Sequence, residues 1–385
     1  MAGVAKLQNG KYQARWRDVQ RQQRSKNFDR KADAERFLDQ VRGDLVRGTY
    51  LDSALSRRTL KEYAEEWRST QPHRIGTKNL YERTLRLHVY PKLGHRPMTS
   101  ILRSDVQALC HELSQHLGPK TVENVHRLLA AIFNHAIDDG LATRNPCRRV
   151  SLPERVDREL MLLSTEQIWA LSEAIPARYR ALVLLAAGSG MRQGEILGLT
   201  HGCVDFLRRS VQVEKQLISV PGTPLHLGEP KTRGSVRRIP LPDFVLETLA
   251  EHVRLFPSEH PWGLVFTDTG GRPVGRSSFH KTWRRAVTAA KLPESTTFHV
   301  LRHTYASILI DQHLNVVIVS KRLGHATPTE TLKTYAHLFP SADDDTRTAV
   351  AAAFRRTEPH AVEVGRTGSR DRGGPDSFVS AVAVQ

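Results

Sequence analysis

The sequence predicts a multidomain, mainly α protein: a small α+β unit at the N-terminus, an all-α bundle, and a mixed, mainly α domain carrying a small antiparallel β-sheet. Three observations predict it. The chain has 385 residues, more than one core usually organises at about 150 residues per domain. Apolar positions alternate near the start and then recur every three or four residues through most of the chain. That periodicity breaks near 49–58, after Asn145-Pro146, and beyond 356.

In the first unit, residues 1–56, residues 11–17 alternate around Tyr12, Ala14 and Trp16, and a second short strand is expected at 25–28. A helix follows over 31–46, with Ala34, Phe37, Val41 and Leu45 on the face that packs on the small sheet. Residues 57–145 read as helices throughout. Two are expected at 60–70 and 77–87, and Ser104 with Gln107 makes a capping box for a third. The strongest covers 121–139, where Val122, Val125, Leu128, Leu129, Ile132, Ala136 and Ile137 form one apolar face and Gly140 stops the helix. Residues 146–159, with Arg148, Arg149, Arg155 and Arg158, read as a basic linker.

The third domain spans 160–356. A helix follows the Ser164/Gln167 capping box, strands are expected near 210–220 and 236–241, and several helices complete the domain. The last helix covers 341–356, with Ser341 at its cap and acidic residues 343–345 in its first turn, and it could dock on its own domain or on a neighbouring protomer. Residues 357–385 hold Gly, Pro, Ser and scattered charge without periodicity, which reads as a disordered tail.

Composition narrows the function. Hydrophobic residues make up 39% and charged residues 25%, the usage of an ordinary folded domain. The longest apolar run, 181–187, falls far short of the roughly 20 residues that a membrane span needs, and the start lacks the apolar core of a signal peptide. A cytoplasmic protein with no membrane partner is expected. Cys110, Cys147 and Cys203 are widely spaced, which argues against a disulfide framework or a zinc finger. A net charge of +17 favours a polyanion, nucleic acid first, because each phosphate contact releases counterions. Within the first thirty residues eight Lys and Arg face only Asp18 and Asp29; Arg15, Arg17, Arg24 and Lys26 are candidate DNA contacts there. Lys78, Arg83 and Arg86 on the 77–87 helix, and Arg148 and Arg149 in the linker, are further candidates.

Four pieces of the third domain carry chemistry. In GSGMRQGEILGL, 188–199, a glycine turn puts Arg192 at a helix start, where a guanidinium and free backbone N–H groups suit a phosphate; the bland alternative is an Arg paired with Glu195. In PKTRGSVRRIPL, 230–241, Lys231 precedes a turn and a strand, from which it could enter a DNA groove and deliver a proton. In FHVLRH, 298–303, after the cap candidates Thr296 and Thr297, His299 and Arg302 share a helical face near its positive end. His303 lies four beyond His299, but neither a Glu of the HExxH type nor a nearby carboxylate follows, so a metal is not expected. In RLGHATPTETLKTYAHL, 322–338, Gly324 ends a helix begun near Asn315, His325 starts a turn, and Tyr335 lies on the next helix at core-like spacing from Leu332 and Leu338.

Arg192, Lys231, His299, Arg302, His325 and Tyr335, in that order and in LGL and LGH contexts, resemble the active site of the tyrosine recombinases, the phage integrase family. The resemblance covers the whole ordered chain, since such integrases often append an arm-type DNA-binding domain to a helical core-binding domain and a catalytic domain. It implies that Tyr335 attacks a scissile phosphate and frees a 5′ hydroxyl. A phenol of pKa ~10 needs a base for this, and His299 is the candidate. Arg192 and Arg302 would clamp the non-bridging oxygens, His325 would add a hydrogen bond, and Lys231 would protonate the leaving oxygen. The interval from His325 to Tyr335 is long for the family and could shift the tyrosine's helix by part of a turn.

The resemblance further implies double-stranded attachment sites, a homotetramer on DNA, accessory bending or directionality factors, and a place on the bacterial nucleoid. No cofactor is expected: Gly188, Gly190 and Gly194 fit neither GxxxxGK[ST] nor GxGxxG. A type IB topoisomerase shares the chemistry but relaxes one duplex alone. A non-catalytic DNA-binding regulator has no use for Tyr335, and a metal-dependent nuclease would need carboxylate ligands.

Overall fold

The computed structural model describes residues 3–17, 21–46, 57–155, 160–230, 233–339 and 343–354. The expected break at 49–58 falls almost wholly outside these residues, as do Lys231, Ser341, residues 156–159 of the linker and the tail from 357.

Three antiparallel strands, β1 (Gly3–Lys6), β2 (Tyr12–Arg17) and β3 (Gln23–Phe28), pair in chain order. Strand β1 was not expected, because its four residues show no alternation, and β3 begins two residues before the expected 25. Side chains alternate between faces. Ala14 and Trp16 therefore bury against Ala34, Leu38 and Val41 of α1 (Lys31–Val46), with the Trp16 and Phe37 rings edge to face at 5.2 Å. Arg15 and Arg17 point to the uncovered face, opposite Ser25 and Gln23. Arg24 and Lys26 stand opposite Trp16 and Ala14 on the helix side, where the Lys26 ammonium lies 4.8 Å from the Phe37 ring centre. The four candidate cations thus divide between two faces.

The bundle begins with α2 (Leu60–Thr70), capped reciprocally: Glu62 N–H donates to Thr59 Oγ1 at 3.3 Å, and Thr59 N–H to Glu62 Oε2 at 2.9 Å. Helix α3 (Ile75–Thr84) starts before the expected 77 and runs on as a π-helix over Leu85–Gly94, so the helical path extends well past 87. Pro91 within that segment has no N–H to donate. Helix α4 (Arg103–Ser114) corrects the Ser104/Gln107 box. The Asp105 carboxylate instead accepts the N–H of Leu102 at 2.7 Å, one turn earlier. Gln107 reaches across to Ser151, donating to its carbonyl at 3.0 Å and accepting its N–H at 2.8 Å. Helix α5 (Pro119–Asp138) starts two residues early with Pro in its first turn, and Gly140, at φ 72°, follows its end. Its apolar face meets Leu60, Trp67, Leu85 and Val89 in the bundle core. That core also buries Cys147 and takes in Val150 and Leu152, so the first half of the expected linker packs as part of the bundle.

The last domain opens with α6 (Thr165–Ala174), whose Ser164/Gln167 box is present. The buried α7 (Ala177–Ser189) packs against α6, α9 (Asp243–Leu255) and α11 (His299–Asp311). Between α7 and α9 lie the short α8 (Gln193–Leu197) and five strands. β4 (Val204–Asp205), β5 (Ser210–Val213) and β8 (Arg237–Pro240) form one antiparallel sheet; β6 (Gln216–Ile218) and β7 (His226–Gly228) form a separate hairpin. The expected strand over 210–220 is therefore two strands in different sheets. Helices α10 (Arg276–Ala289), α12 (Val316–Leu323) and α13 (Pro328–Tyr335) complete the body, and α14 (Asp343–Ala353) follows. Tyr335 joins Tyr305, Ile310, Val319 and Leu323 in a satellite core under α11 to α13. Every described side chain from 346 to 354 is exposed, Phe354 by 82%.

Helix α3 touches the β6–β7 hairpin. Arg74 Nη1 donates to the Pro230 carbonyl at 3.4 Å, and Asn79 Nδ2 to that of Pro221 at 3.1 Å. A cleft of about 1140 Å³ lies between them, lined by Arg74 on one side and by Arg192, His299 and the start of α10 on the other. Among the described residues no helix is long and apolar enough to cross a membrane.

Candidate active site and nucleic-acid interface

The site is assembled by two glycines that leave no room for a side chain. Gly190 ends α7 at φ 63°, and a Cβ there would lie 2.4 Å from the Tyr305 ring. This turn places Arg192 at the N-cap of α8, where its N–H donates to Glu195 Oε2 at 2.9 Å. Gly324 ends α12 at φ 66°, and a Cβ there would meet Arg237 Nη1 at 2.8 Å.

Glu195, 2% exposed, is the anchor between these turns. Its carboxylate pairs with Arg192 Nη1 and Arg237 Nη2, each at 2.9 Å. Burial pushes its pKa up, but Arg237 and then the backbone and guanidinium of Arg192 hold it below the ordinary carboxylate value. Arg237 also donates to the carbonyls of Arg322 at 2.7 Å and Ser235 at 2.8 Å, which ties β8 to the end of α12 and so fixes the start of the His325 turn. Arg192 Nη2 donates to the Gly324 carbonyl at 3.1 Å. Arg192 is therefore paired with Glu195 and at the same time lines the cleft.

Arg302 differs. It is 2% exposed, its Nη1 donates to the Gly190 carbonyl at 2.8 Å, and its buried Nη2 has no hydrogen-bond partner among the described residues. Burial lowers its pKa to about 9, and Arg192 and Arg237 add like charge. His299 opens on the cleft, with its ring accessible from that side. The low-dielectric wall behind it, then His303, Arg302, Arg192 and His325, push its pKa down to about 4. His325 is lowered to about 4 in the same way, by burial and then by Arg302 and Arg192, and its Nδ1 hydrogen-bonds Thr331 Oγ1 at 2.7 Å. Both imidazoles are neutral at neutral pH. Helix α11 starts at His299 with Phe298 as its N-cap, so Thr296 and Thr297 are not the cap.

The structure thus brings Arg192, His299, Arg302 and His325 into one electrostatic neighbourhood. Tyr335 lies one layer behind. It is 1% exposed; burial raises its pKa to about 12, against the pull of Arg302. Its hydroxyl is 2.8 Å from Nδ1 of His303. Lys231 lies outside the described residues.

Sequence reasoning missed three features. Glu195 and Arg237 stood inside the quoted motifs, but their pairing joins α8 to β8 and has no local signature. The stripe Arg276, His280, Lys281 and Arg284 lines the cleft, and its signal was the recurrence of Arg276, His280 and Arg284 every four residues beside Phe279 and Trp283, which are core. His303 was weighed only as a metal ligand; among the described residues no group of three His, Cys, Asp or Glu could hold a metal. Of the other candidate DNA contacts, Arg83, Arg86, Arg148 and Arg149 are exposed and Lys78 is half-buried. Arg86 pairs with Glu82 at 2.7 Å.

Comparison with known proteins adds independent findings. The phage integrase family model matches residues 160–341, and the phage integrase central domain model matches 60–152. The chain is 30% identical over 269 residues to a tyrosine recombinase XerC-like protein of Caldanaerobacter subterraneus, covering 63% of this chain and 68% of the relative. It is 25% identical over 327 residues to the integrase of Mycobacterium phage D29, covering 82% and 86%. The Tn1549 transposon integrase in complex with a circular intermediate DNA superposes with a TM-score of 0.66 at 25% identity, over 76% of this chain and 98% of that one. A lambda integrase tetramer bound to a Holliday junction shares the fold, with a TM-score of 0.57 at 15% identity over 94% and 98%.

Proposed function

Because the chain belongs to the phage integrase family of tyrosine recombinases, we propose that it cleaves and rejoins DNA at specific sites through a 3′-phosphotyrosyl bond to Tyr335, integrating or excising a phage or other mobile element. The observation that carries this reading is Arg302: a guanidinium with one side on a backbone carbonyl and the other buried without a partner, beside Arg192 and two neutral imidazoles. A buried unpaired donor is costly, and a phosphate oxygen is the acceptor that matches its charge and planarity.

In this mechanism Arg192 and Arg302 hold the non-bridging oxygens and neutralise the charge that develops in the pentavalent transition state. His325, oriented by Thr331, and His299 complete the ring around the phosphate. The phenolic oxygen forms the new bond to phosphorus, the bond to the 5′ oxygen breaks, and Lys231 protonates that oxygen. A 5′ hydroxyl of a second duplex then attacks the phosphotyrosyl bond and restores a diester, so neither ATP nor metal enters the scheme. Tyr335 is 1% exposed, and attack requires α13 to bring its ring forward when DNA occupies the cleft.

The uncovered sheet face bearing Arg15 and Arg17 is proposed as the arm-type DNA contact. Arg24, Lys26, Lys78, Arg83, Arg86, Arg148 and Arg149 are proposed backbone contacts of the two N-terminal units. Two duplexes and four strand cuts call for a homotetramer, and α14, with Val350 and Phe354 exposed, is the proposed surface for a neighbouring protomer. Action on the cytoplasmic nucleoid, with accessory bending or directionality factors, completes the reading. The test is incubation with the DNA that flanks its own gene. A denaturant-resistant protein–DNA adduct is expected with EDTA present and is abolished in Tyr335→Phe, which still binds. Adduct formation by Tyr335→Phe refutes the nucleophile, and loss of cleavage in EDTA points to a metal-dependent nuclease.

A further inference from the structure

The reaction just proposed needs a proton for the departing 5′ oxygen, and Lys231 is the residue assigned to give it. The contacts flanking that lysine point to a partner in the other domain. We infer that Arg74, on the bundle, is a positioning residue that holds the chain beside Lys231, so that the proton is delivered only while the bundle and the catalytic domain grip one duplex. This rests on the recombinase reading and deepens it by one residue.

The chain on either side of Lys231 is anchored. Downstream, Gly234 lies tight against the His325 turn, since a Cβ there would be 3.3 Å from the His325 carbonyl oxygen. Ser235, 1% exposed, accepts from Arg192 Nη1 at 3.5 Å through its hydroxyl and from Arg237 Nη1 at 2.8 Å through its carbonyl. These contacts all belong to the catalytic domain and tie the segment to the phosphate pocket. Upstream, the Glu229 carbonyl accepts from Gln216 Nε2 at 3.0 Å within the hairpin, and the carbonyl of the buried Pro230 accepts from Arg74 Nη1 at 3.4 Å. Only Lys231, Thr232 and Arg233 separate Pro230 from Gly234. A residue spans at most about 3.5 Å, so the two anchors together bound where the ammonium can reach.

Arg74 stands at the N-cap of α3 but makes no side-chain cap there. It is exposed on the cleft wall, and among the described residues the one hydrogen bond of its side chain crosses to Pro230. Placement matters for a general acid, because a displacement of about 1 Å can cost roughly 100-fold in rate. As the bond between phosphorus and the 5′ oxygen breaks, the Lys231 ammonium gives that oxygen a proton and becomes an amine. A cation that merely touched a DNA phosphate would hold the duplex without favouring the leaving atom. The leaving atom therefore tells the two roles apart.

The experiment compares rates of denaturant-resistant adduct formation at saturating DNA on two duplexes. One carries the sequences that flank the protein's own gene; the other has sulfur in place of the 5′ bridging oxygen at the mapped scissile phosphate. A thiol ionises near ~8.5, so sulfur departs as a thiolate and needs no proton. Lys231→Ala is the reference for a missing acid: about 100-fold slow on oxygen and near the wild-type rate on sulfur. Arg74→Ala is expected to be about 10-fold slow on oxygen, as for a displaced acid, and to match wild type on sulfur. Asn79→Ala, which removes the other hydrogen bond between α3 and the hairpin, is expected to match wild type on both. An Arg74→Ala variant slowed equally on both duplexes is a lost phosphate contact and overturns the inference, as does one at the wild-type rate on oxygen. The ratio of the two rates within one preparation does not depend on the fraction that folds, so a poorly folded variant still decides the matter. An Asn79→Ala variant that copies Arg74→Ala overturns the assignment to this residue, and failure of sulfur to restore Lys231→Ala overturns it by removing the acid. A wild-type protein that forms no Tyr335-dependent adduct sinks the recombinase reading itself, an outcome separate from all of these.

Discussion

Two arginines flank the same pocket, each nearly inaccessible to solvent, and they are satisfied to different degrees. Arg237 has a carboxylate and two carbonyls for its donors, and it joins β8, α8 and the end of α12. Arg302 has one carbonyl and one buried nitrogen that finds no acceptor among the described residues. The first arrangement is what a scaffold needs, since a buried charge is tolerated when its hydrogen bonds are complete. The second leaves a demand that an incoming anion can meet. Burial of a cation therefore does not separate structure from function; the completeness of its hydrogen bonding does.

Neutral replacement tests this contrast most severely on the reactive side. Arg302→Met should lower adduct formation by about 1000-fold, the scale of a lost transition-state donor. Its melting temperature should stay level or rise, because an incompletely paired buried charge has gone. A large loss of stability would place Arg302 with Arg237 as scaffold. The opposite result is expected across the pocket. Arg237→Met removes the more buried of the two guanidinium partners of the Glu195 carboxylate and should cost about 3–5 kcal/mol in denaturant unfolding. Wild-type stability there would break the comparison from the other end.

Protonation sharpens it further. His299 and His325 titrate at about 4 in the fold, against an ordinary 6.5, so between these values the unfolded chain binds protons that the folded chain refuses. Stability of the DNA-free protein is fully present above pH 6.5 and should fall as the pH drops toward 4. Thermal melting across that range should show a weaker slope in His325→Asn; an unchanged slope would assign the loss to other groups. The smallest effect concerns a cation of a third kind, exposed on the cleft wall. Lys281→Ala should leave stability unchanged and reduce the slope of log binding against log salt by about one, as the loss of one phosphate contact does.

Much of the site was legible in the sequence because its residues sit in short contexts that fix their backbone. The glycine before Arg192, the glycine before His325 and the helix carrying His299 and Arg302 each set a local geometry that spacing reveals. What was illegible is tertiary. Glu195 and Arg237 are 42 residues apart and meet only in the folded chain, where their side chains link α8 to β8. His303 looked like half of a metal pair until Tyr335, 32 residues on, was seen to meet it. The helices were read well where an apolar stripe was long, as in α5. They were read less well where a backward cap such as Asp105, or a π segment around Pro91, replaced the expected ending. In the N-terminal sheet the alternation identified β2, but which cations shared its open face depended on the register of β3.

The contact between α3 and the β6–β7 hairpin has a consequence for loading. Among the described residues, two hydrogen bonds join them, both made to backbone carbonyls at the rim of the cleft. At about 1 kcal/mol apiece, such bonds give way in a few per cent of molecules at any instant without help from a ligand. A circle of double helix, which has no end to thread, could enter sideways through that gap and be enclosed when the two bonds re-form.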